Sequence, residues 1–588
     1  MLNTTASFLR CVPLYTRPRT LHSSPAYFPS LAALARRQLG AFQTGLPASY
    51  STFGVSEHAA VSTNKPYYIT TPIFYVNAVP HIGHLHSVVL ADTLKRFQEM
   101  KGRKGLLSTG TDEHGLKASI QQAAAAAEVS EKELCDRVSQ RFKALFDAAN
   151  ISYTTFIRTT DMNHAVAVKE MWNDLWNKGY IYKGQHEGWY SVSDEAFYAS
   201  TQVEEKTDEK TGEKYHVSIE TGKAVEWTTE ENYKFKLSEF TEPLLNWLDK
   251  NPEGKYNEVR EWLQQGLSDL SVSRPRSRLT WGIPIPGDDS HVMYVWMDAL
   301  TNYLTVTGYP WRGIMGAQKA TGGWPADAQI VGKDILRFHA VYWPAFLMAA
   351  GLELPKKIVA HAHWTQSKMK MSKSIGNVVD PFTAMEEFGT DTIRFYLMND
   401  GGLSDDADYS SELVAGRYRK LLAGQLGNLL SRSTSLALNP SKKVPSPPSE
   451  GNIHPDDLAL WNKLKELPEK VDQSMTQFRT TQATHHIFDM LAEANANFSH
   501  GEPWKLVKDP SNKERVDQLI WNALESTRMA ALLLQPIIPT KSSEILDQLG
   551  VRGDERSWEH AQRGRGWAAD QEARSVATGG PMFPPLKK

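Results

Sequence analysis

The chain has 588 residues and carries 65 Lys+Arg against 67 Asp+Glu, a formal charge of −2. At about 150 residues per domain the length sets a prior of roughly four units, and the near-neutral total excludes a globally basic nucleic-acid coat, leaving local basic patches to meet any RNA. Two cysteines, Cys11 and Cys135, exclude a disulfide framework and a four-cysteine zinc site, and no apolar run approaches the ~18 residues of a membrane span.

The N-terminus stands apart. Its first acid is Glu57, preceded by Arg10, Arg17, Arg19, Arg36 and Arg37 among many Ser and Thr. This Arg-rich, acid-free composition is that of a mitochondrial transit peptide, and Pro13, Arg17 and Pro18 interrupt any secretory apolar core. Residues 1–60 are therefore read as an import segment for the mitochondrial matrix, with the fold starting near Lys65. Pro66-Tyr-Tyr-Ile-Thr-Thr-Pro72 predicts a strand. The loop Asn77-Ala-Val-Pro80 and the string His81-Ile-Gly-His84 follow, and then Leu85, Val88, Val89, Leu94 and Phe97 recur at helical spacing up to a stop at Gly102. Strand, turn and helix open an α/β sheet.

Residues 117–149 read as helical with an Ala-rich start. From about 181 to 290 the charged excursion Val203–Lys214 lies among short Gly- and Trp-containing strands, which reads as an insertion. Sheet-like segments resume at His291–Trp296, Gln329–Val331 and Lys357–His361, alternating with helix around 335–351, as βαβ units do. Residues 65–180 and 291–385 thus read as one α/β domain, interrupted at 181–290. Ser441–Gly451 is a Pro/Ser/Lys linker, 455–550 has the periodicity of a helix bundle, and 551–588 is an Arg/Gly/Pro-rich tail expected to have little order.

Two strings carry chemistry. A turn from strand to helix presents backbone N–H groups to anions, and imidazoles there donate to phosphate oxygens. Gly83 lets a flat ring approach closely. Lys370-Met-Ser-Lys-Ser374, with Lys368 nearby, makes a cationic loop able to close on a polyphosphate. The strings are too far apart for adjacent βαβ units, which requires the inserted segment.

Both strings, in this order, resemble the signatures of the class I aminoacyl-tRNA synthetases, over roughly residues 65–540. Thr71–Asn77, Thr109-Gly-Thr-Asp-Glu-His-Gly115, Tyr294-Val-Trp-Met-Asp-Ala299 and Gly332-Lys-Asp-Ile-Leu-Arg-Phe-His339 resemble the methionyl branch. The resemblance implies a Rossmann-like parallel-sheet catalytic domain with an inserted connective domain, a stem-contact region at 386–440 and a helical anticodon-binding domain at 441–550. It implies an amino acid–tRNA ligase that uses ATP with Mg2+, acts on methionine and tRNA(Met), and works as a monomer. Catalysis falls to His81, His84, Lys370 and Lys373. Gly83, Met371, Ser372 and Ser374 complete the ATP site. Ile73, Tyr75, Asp112, Trp296, Ala299, Tyr303, Asp334 and His339 match methionine-binding positions, and Asn428, Arg432 and Trp504 match anticodon readers. Leu300 departs from the proline common after Tyr-Val-Trp-x-Asp-Ala. Relatives often carry zinc knuckles in the insertion. Here Ser and acids stand in those positions in Gly188–Phe197, no Cys follows residue 135, and no zinc is expected at His186 or His216.

The residues count against three other classes. A cysteinyl-type enzyme needs zinc-binding cysteines that are absent. An inactive relative serving as an RNA-binding or splicing factor does not need an intact His81, His84 and Lys373. A small-molecule nucleotidylyltransferase shares His-x-x-His but needs no anticodon bundle.

Overall fold

The computed structural model describes residues 65–588 apart from 77–78, 116–119, 121–123, 125–126, 192–195, 199, 208–211, 220, 251–255, 312–320, 372–376, 566–573 and 587–588. The segment read as an import signal, and Ser372, Lys373 and Ser374 of the lysine string, lie outside the described residues.

Five parallel strands form the central sheet: β1 (Tyr67–Tyr75), β2 (Gly105–Asp112), β3 (Thr155–Arg158), β4 (Ala328–Gly332) and β5 (Ile358–His361), in the order β5-β4-β1-β2-β3. β2 and β4 are buried along their whole length, as strands covered on both faces must be. Helix α1 (Ile82–Met100) lays Leu85, Val88 and Val89 on the face bearing Ile69, Leu107 and Ile330. On the other face the buried Tyr68 hydroxyl donates to the Tyr303 carbonyl at 3.0 Å. Tyr303 belongs to α4 (Val295–Thr305); α2 (Glu131–Ala148) and α3 (Met162–Asn177) precede it.

The chain runs outward from β1 to β2 to β3, then returns to lay β4 on the opposite side of β1. The connections leaving β1 and β4 therefore run in opposite directions along the sheet, which makes β1/β4 the topological switch point where open α/β sheets bind ligands, outside the carboxyl ends of the strands. Between β3 and β4 lies an antiparallel sheet in which Ile181–Ser191 pairs with Ala224–Phe235. A small sheet of Ser273–Pro275, Pro284–Ile285 and Asp288–Met293 follows.

Two local expectations are corrected. His291–Trp296 is not one strand: the strand ends at Met293, Tyr294 caps α4, and Trp296 lies in the first helical turn with Asp298. An apolar run this short carries no period long enough to separate strand from helix. The helix expected over 117–149 is interrupted by a turn at 127–129, with Glu128 at a φ of 54°, and α2 restarts behind the Ser130 cap.

Beyond the sheet, α5 (Thr390–Asp400) leads to a helical bundle built on α6 (Leu458–Thr476), α7 (Thr480–His500) and α8 (Lys513–Leu534). Arg394 on α5 is fully buried. It donates to Asp92 of α1 at 2.6 Å and to the carbonyls of Pro536 and Ile537 at 3.0 and 2.9 Å. Lys101, just past α1, pairs with Asp472 of α6 at 2.6 Å. The C-terminal tail departs from the expectation of little order. Arg556 pairs with Asp547 at 2.5 Å, Arg574 pairs with Glu555, and Phe583 is buried against Tyr418. Arginines that composition reads as solvated are here spent on local carboxylates.

Candidate active site

α1 begins at the carboxyl end of β1, and His81 is its N-cap. The His81 Nδ1 accepts the Gly83 N–H at 3.1 Å, and the His81 N–H donates to His84 Nδ1 at 3.2 Å. This is a capping box built from two imidazoles. Because each Nδ1 accepts, the proton of each neutral ring is assigned to Nε2. The rings stack with centroids 3.7 Å apart, and Phe74 and Phe142 flank His84 at 5.1 and 5.3 Å. A Cβ on Gly83 would lie 3.0 Å from His81 Cε1, so glycine is what lets the ring lie across the turn. Two Nε2–H donors thus stand beside the positive end of a helix dipole.

A cavity of about 290 Å³ opens at this point. It is lined by Ile73, Tyr75, His81, Gly83, His84 and Ser87 from β1 and the start of α1, by Gly332, Asp334 and Ile335 at and after the end of β4, and by His361, His363, Trp364 and Met371 at and after the end of β5. It therefore sits at the β1/β4 switch point. A larger cleft of about 1030 Å³, between Lys357–Ala360 and Gln477–Gln482, contains neither chemical string, and the chemistry favours the smaller space. Ser87, His361 and His363 were missed in the sequence. The Ser87 hydroxyl donates to His361 Nε2 at 2.7 Å, while His361 Nδ1 donates to the Ala362 carbonyl at 2.8 Å. The string His361-Ala-His363 at the end of a predicted strand was the available signal.

Trp364–Gln366 pairs with Met369–Lys370 across Ser367 and Lys368, whose φ angles are 53° and 60°, as a two-residue hairpin of matching twist requires. Asp408 fastens this hairpin, accepting from Thr365 Oγ1 at 2.7 Å and from the Lys368 N–H at 2.9 Å. Lys370 thereby stands in the hairpin directly before Met371 of the cavity lining.

Of the residues matched to methionine binding, Ile73, Tyr75 and Asp334 line the cavity. Asp112 ends β2 in register with Tyr75 of the cavity. Tyr303 donates its hydroxyl to His339 Nε2 at 2.7 Å, and His339 Nδ1 donates to the Ile335 carbonyl at 2.9 Å. Burial lowers the His339 pKa to about 4, so the ring is neutral at physiological pH. Trp296 stacks on Phe338 with centroids 3.5 Å apart, and Ala299 is buried on the next turn of α4. His339 lies in a π-helical segment, Phe338–Tyr342, a local widening that recurs at functional sites.

Asn428 and Arg432 lie four residues apart on helix Asn428–Ser433, hence on one face. The Arg432 guanidinium stands 5.3 Å from the Trp504 ring centroid and 4.9 Å from that of Phe498. Trp504 is 40% exposed, unlike Trp461 and Trp521 in the bundle core. In the insertion, His216 stacks on Trp189 at 4.1 Å. The His186 side chain lies outside the described residues. Cys135 is buried and its thiol is pushed up to about 12 by burial, with the carboxylate of Glu113 adding to the shift.

Comparison with known proteins gives one answer throughout. A model of the family described as tRNA synthetases class I (M) matches residues 67–434, and one described as the anticodon binding domain of methionyl tRNA ligase matches 447–576. A probable mitochondrial methionine–tRNA ligase of Neurospora crassa is 46% identical over 513 residues, covering 85% of this chain and 82% of that protein. A mitochondrial methionine–tRNA ligase of Homo sapiens is 45% identical, covering 83% of this chain and 85% of its own. A Mycobacterium tuberculosis methionyl-tRNA synthetase solved with methionyl-adenylate superposes with a TM-score of 0.80 at 39% identity, covering 89% of this chain and all of that one.

Proposed function

The chain belongs to the methionyl family of class I tRNA synthetases, and from that premise we infer that it is a mitochondrial methionine–tRNA ligase. The observation that carries the reading is the switch-point cavity, lined by both imidazoles of His81-Ile-Gly-His84, whose Nδ1 atoms accept in the helix cap so that Nε2 carries the proton of each neutral ring.

The methionine carboxylate attacks the α-phosphorus of ATP. A new acyl–phosphate bond forms, the bond to the β-phosphate breaks, and pyrophosphate leaves. Charge grows on the triphosphate oxygens, and donors fixed in advance stabilise it without reorganising. His81 and His84 supply them from the helix side, with Gly83 giving room, and Lys370 and Lys373 from the loop that carries Met371, Ser372 and Ser374. No side-chain nucleophile is needed. In the second step the terminal ribose hydroxyl of tRNA attacks the carbonyl, AMP departs, and the ester forms. Magnesium enters with ATP as part of that substrate.

Methionine has no charge beyond its backbone groups, and its thioether is a weak acceptor. A close apolar pocket must therefore recognise it, with sulfur–aromatic contacts of about 0.3–1.5 kcal/mol each. Ile73, Tyr75, Trp296, Ala299 and Tyr303 form that pocket. Asp112 meets the α-ammonium, Asp334 lines the cavity as part of the methionine site, and His339, neutral and held at both nitrogens, keeps the Tyr303 phenol in place.

The anticodon is read by Asn428, Arg432 and Trp504. Trp504 offers a half-open ring beside a cation, the arrangement on which unpaired bases stack. The catalytic domain spans 65–180 and 291–385, the connective domain 181–290, the stem-contact region 386–440 and the anticodon-binding domain 441–550, with 551–588 a C-terminal extension. The working unit is a monomer, since one chain holds both the cavity and the anticodon patch, and the connective domain folds without zinc. Residues 1–60 direct import to the matrix. Charging of a methionine-accepting tRNA by the purified chain tests the reading. Methionyl-tRNA should form, and an altered anticodon should abolish it. Charging that ignores the anticodon would overturn the assignment of Asn428, Arg432 and Trp504.

A further inference from the structure

Asp298 lies in the first turn of α4, between Trp296 and Ala299, and is 1% exposed. A carboxylate so buried needs donors for its lone pairs. His114 Nδ1 lies 2.6 Å from one oxygen and His164 Nε2 2.8 Å from the other. His114 follows β2 two residues after Asp112, and His164 lies in the first turn of α3, where the Thr305 hydroxyl meets its other nitrogen at 2.9 Å. Burial works to raise the Asp298 carboxyl, yet the two imidazoles hold it down to about 2. Burial also works to lower the His114 pKa, and the Asp298 carboxylate outweighs it and raises that pKa above the ordinary imidazole value.

These three residues join the two halves of the methionine pocket. One half is the end of β2, which carries Asp112. The other is the start of α4, which carries Trp296 and Ala299. The Asp298–His114 bond is a direct side-chain link between them. We propose that Asp298, gripped by His114 and His164, is a positioning residue for methionine that sets the distance between the ammonium-binding carboxylate and the side-chain pocket. The proposal rests on the methionine-pocket assignment above. His114, His164 and Asp298 are not among the residues lining the cavity beside His81 and His84, and Asp298 lies between Trp296 and Ala299 on α4, so the effect falls on methionine rather than on ATP.

The test is pyrophosphate exchange on the full chain, with KM measured separately for methionine and ATP, and kcat/KM measured for norleucine. Asp298→Asn keeps the shape but sets an amide N–H against an imidazole N–H. His114→Ala removes a donor, and His114→Asn returns one near the position of Nδ1. Asp298→Asn and His114→Ala should raise methionine KM by about 10- to 100-fold, the size of a hydrogen bond to a charged group. ATP KM should stay unchanged and discrimination against norleucine should narrow. His114→Asn should recover most of the loss. Methionine and ATP KM rising together, or His114→Asn behaving like His114→Ala, would overturn the proposal. If Asp298→Asn does not fold, the two His114 variants decide it. Asp112→Asn separates the premise from the proposal: an unchanged methionine KM there defeats the pocket assignment itself, whereas a raised KM there with none in His114→Ala defeats only the positioning role.

Discussion

The proposed function gives His81 two jobs that substitution can separate. Its Nδ1 caps α1 by accepting the Gly83 N–H at 3.1 Å, and in the proposed function its Nε2–H is the donor that meets the nucleotide. Asparagine places an amide oxygen close to the position of Nδ1, so His81→Asn keeps the cap and loses the reach. Glutamine places an amide N–H close to Nε2, so His81→Gln keeps the reach and loses the cap. Loss of one preorganised donor in a transition state costs about 10²–10³ in rate, and loss of a helix cap costs about 1 kcal/mol of stability. His81→Asn should therefore melt near the wild type and lower kcat for pyrophosphate exchange by about 10²–10³, with methionine KM little changed. His81→Gln should lose about 1 kcal/mol of stability while keeping more of the rate. Exchange kinetics and thermal unfolding of the two variants read both axes. A fully active His81→Asn would refute the argument, because His81 would then be a cap and nothing more.

Trp504→Ala should spare pyrophosphate exchange and raise the tRNA KM about 10-fold, from a stacking contribution of ~1–3 kcal/mol per base; a defect in exchange without tRNA would make Trp504 structural. Lys373→Ala should lower adenylate formation by about 10²–10³ with little change in methionine binding, as single-turnover kinetics would read. The His339 ring, lowered by burial to about 4 against about 6.5 in the unfolded chain, binds its proton first in the unfolded state. Its contribution is full above about 6.5 and is lost as pH falls from there through about 4, at most about 3 kcal/mol. The stability gap between wild type and His339→Gln in urea unfolding should narrow over that window, and parallel curves would contradict the assignment. Arg394→Met should destabilise the fold by about 3–5 kcal/mol, since it strips a buried Asp92 of one partner while Arg96 and Ser152 remain; a drop under about 1 kcal/mol would show the cluster to be dispensable.

Much of this was legible in the chain because it is local. A strand, a turn with His-x-x-His and a helix of period 3.6 occupy consecutive residues, so β1 and α1 could be read directly. The order of the sheet could not, because β4 joins β1 only after the chain has passed through β2, β3 and the whole insertion. For the same reason Ser87 and His361, 2.7 Å apart in space and distant in sequence, escaped notice. Trp296 was placed on a strand because a six-residue apolar run fits both periods, and the first turn of a helix has no earlier turn to display its spacing. The C-terminal segment misled through composition: its arginines pair with Asp547 and Glu555, and charge content alone does not reveal a partner. The buried grip on Asp298 was hidden in the same way, since His114, His164 and Asp298 share no local pattern.

The most direct measurement is ATP–pyrophosphate exchange by the purified chain with each of the twenty amino acids in turn, without tRNA. The account predicts that methionine drives exchange with the highest kcat/KM by a wide margin, and that His81→Asn abolishes most of it. Exchange driven better by another amino acid, or no exchange with methionine in a chain that folds and binds ATP, would contradict it.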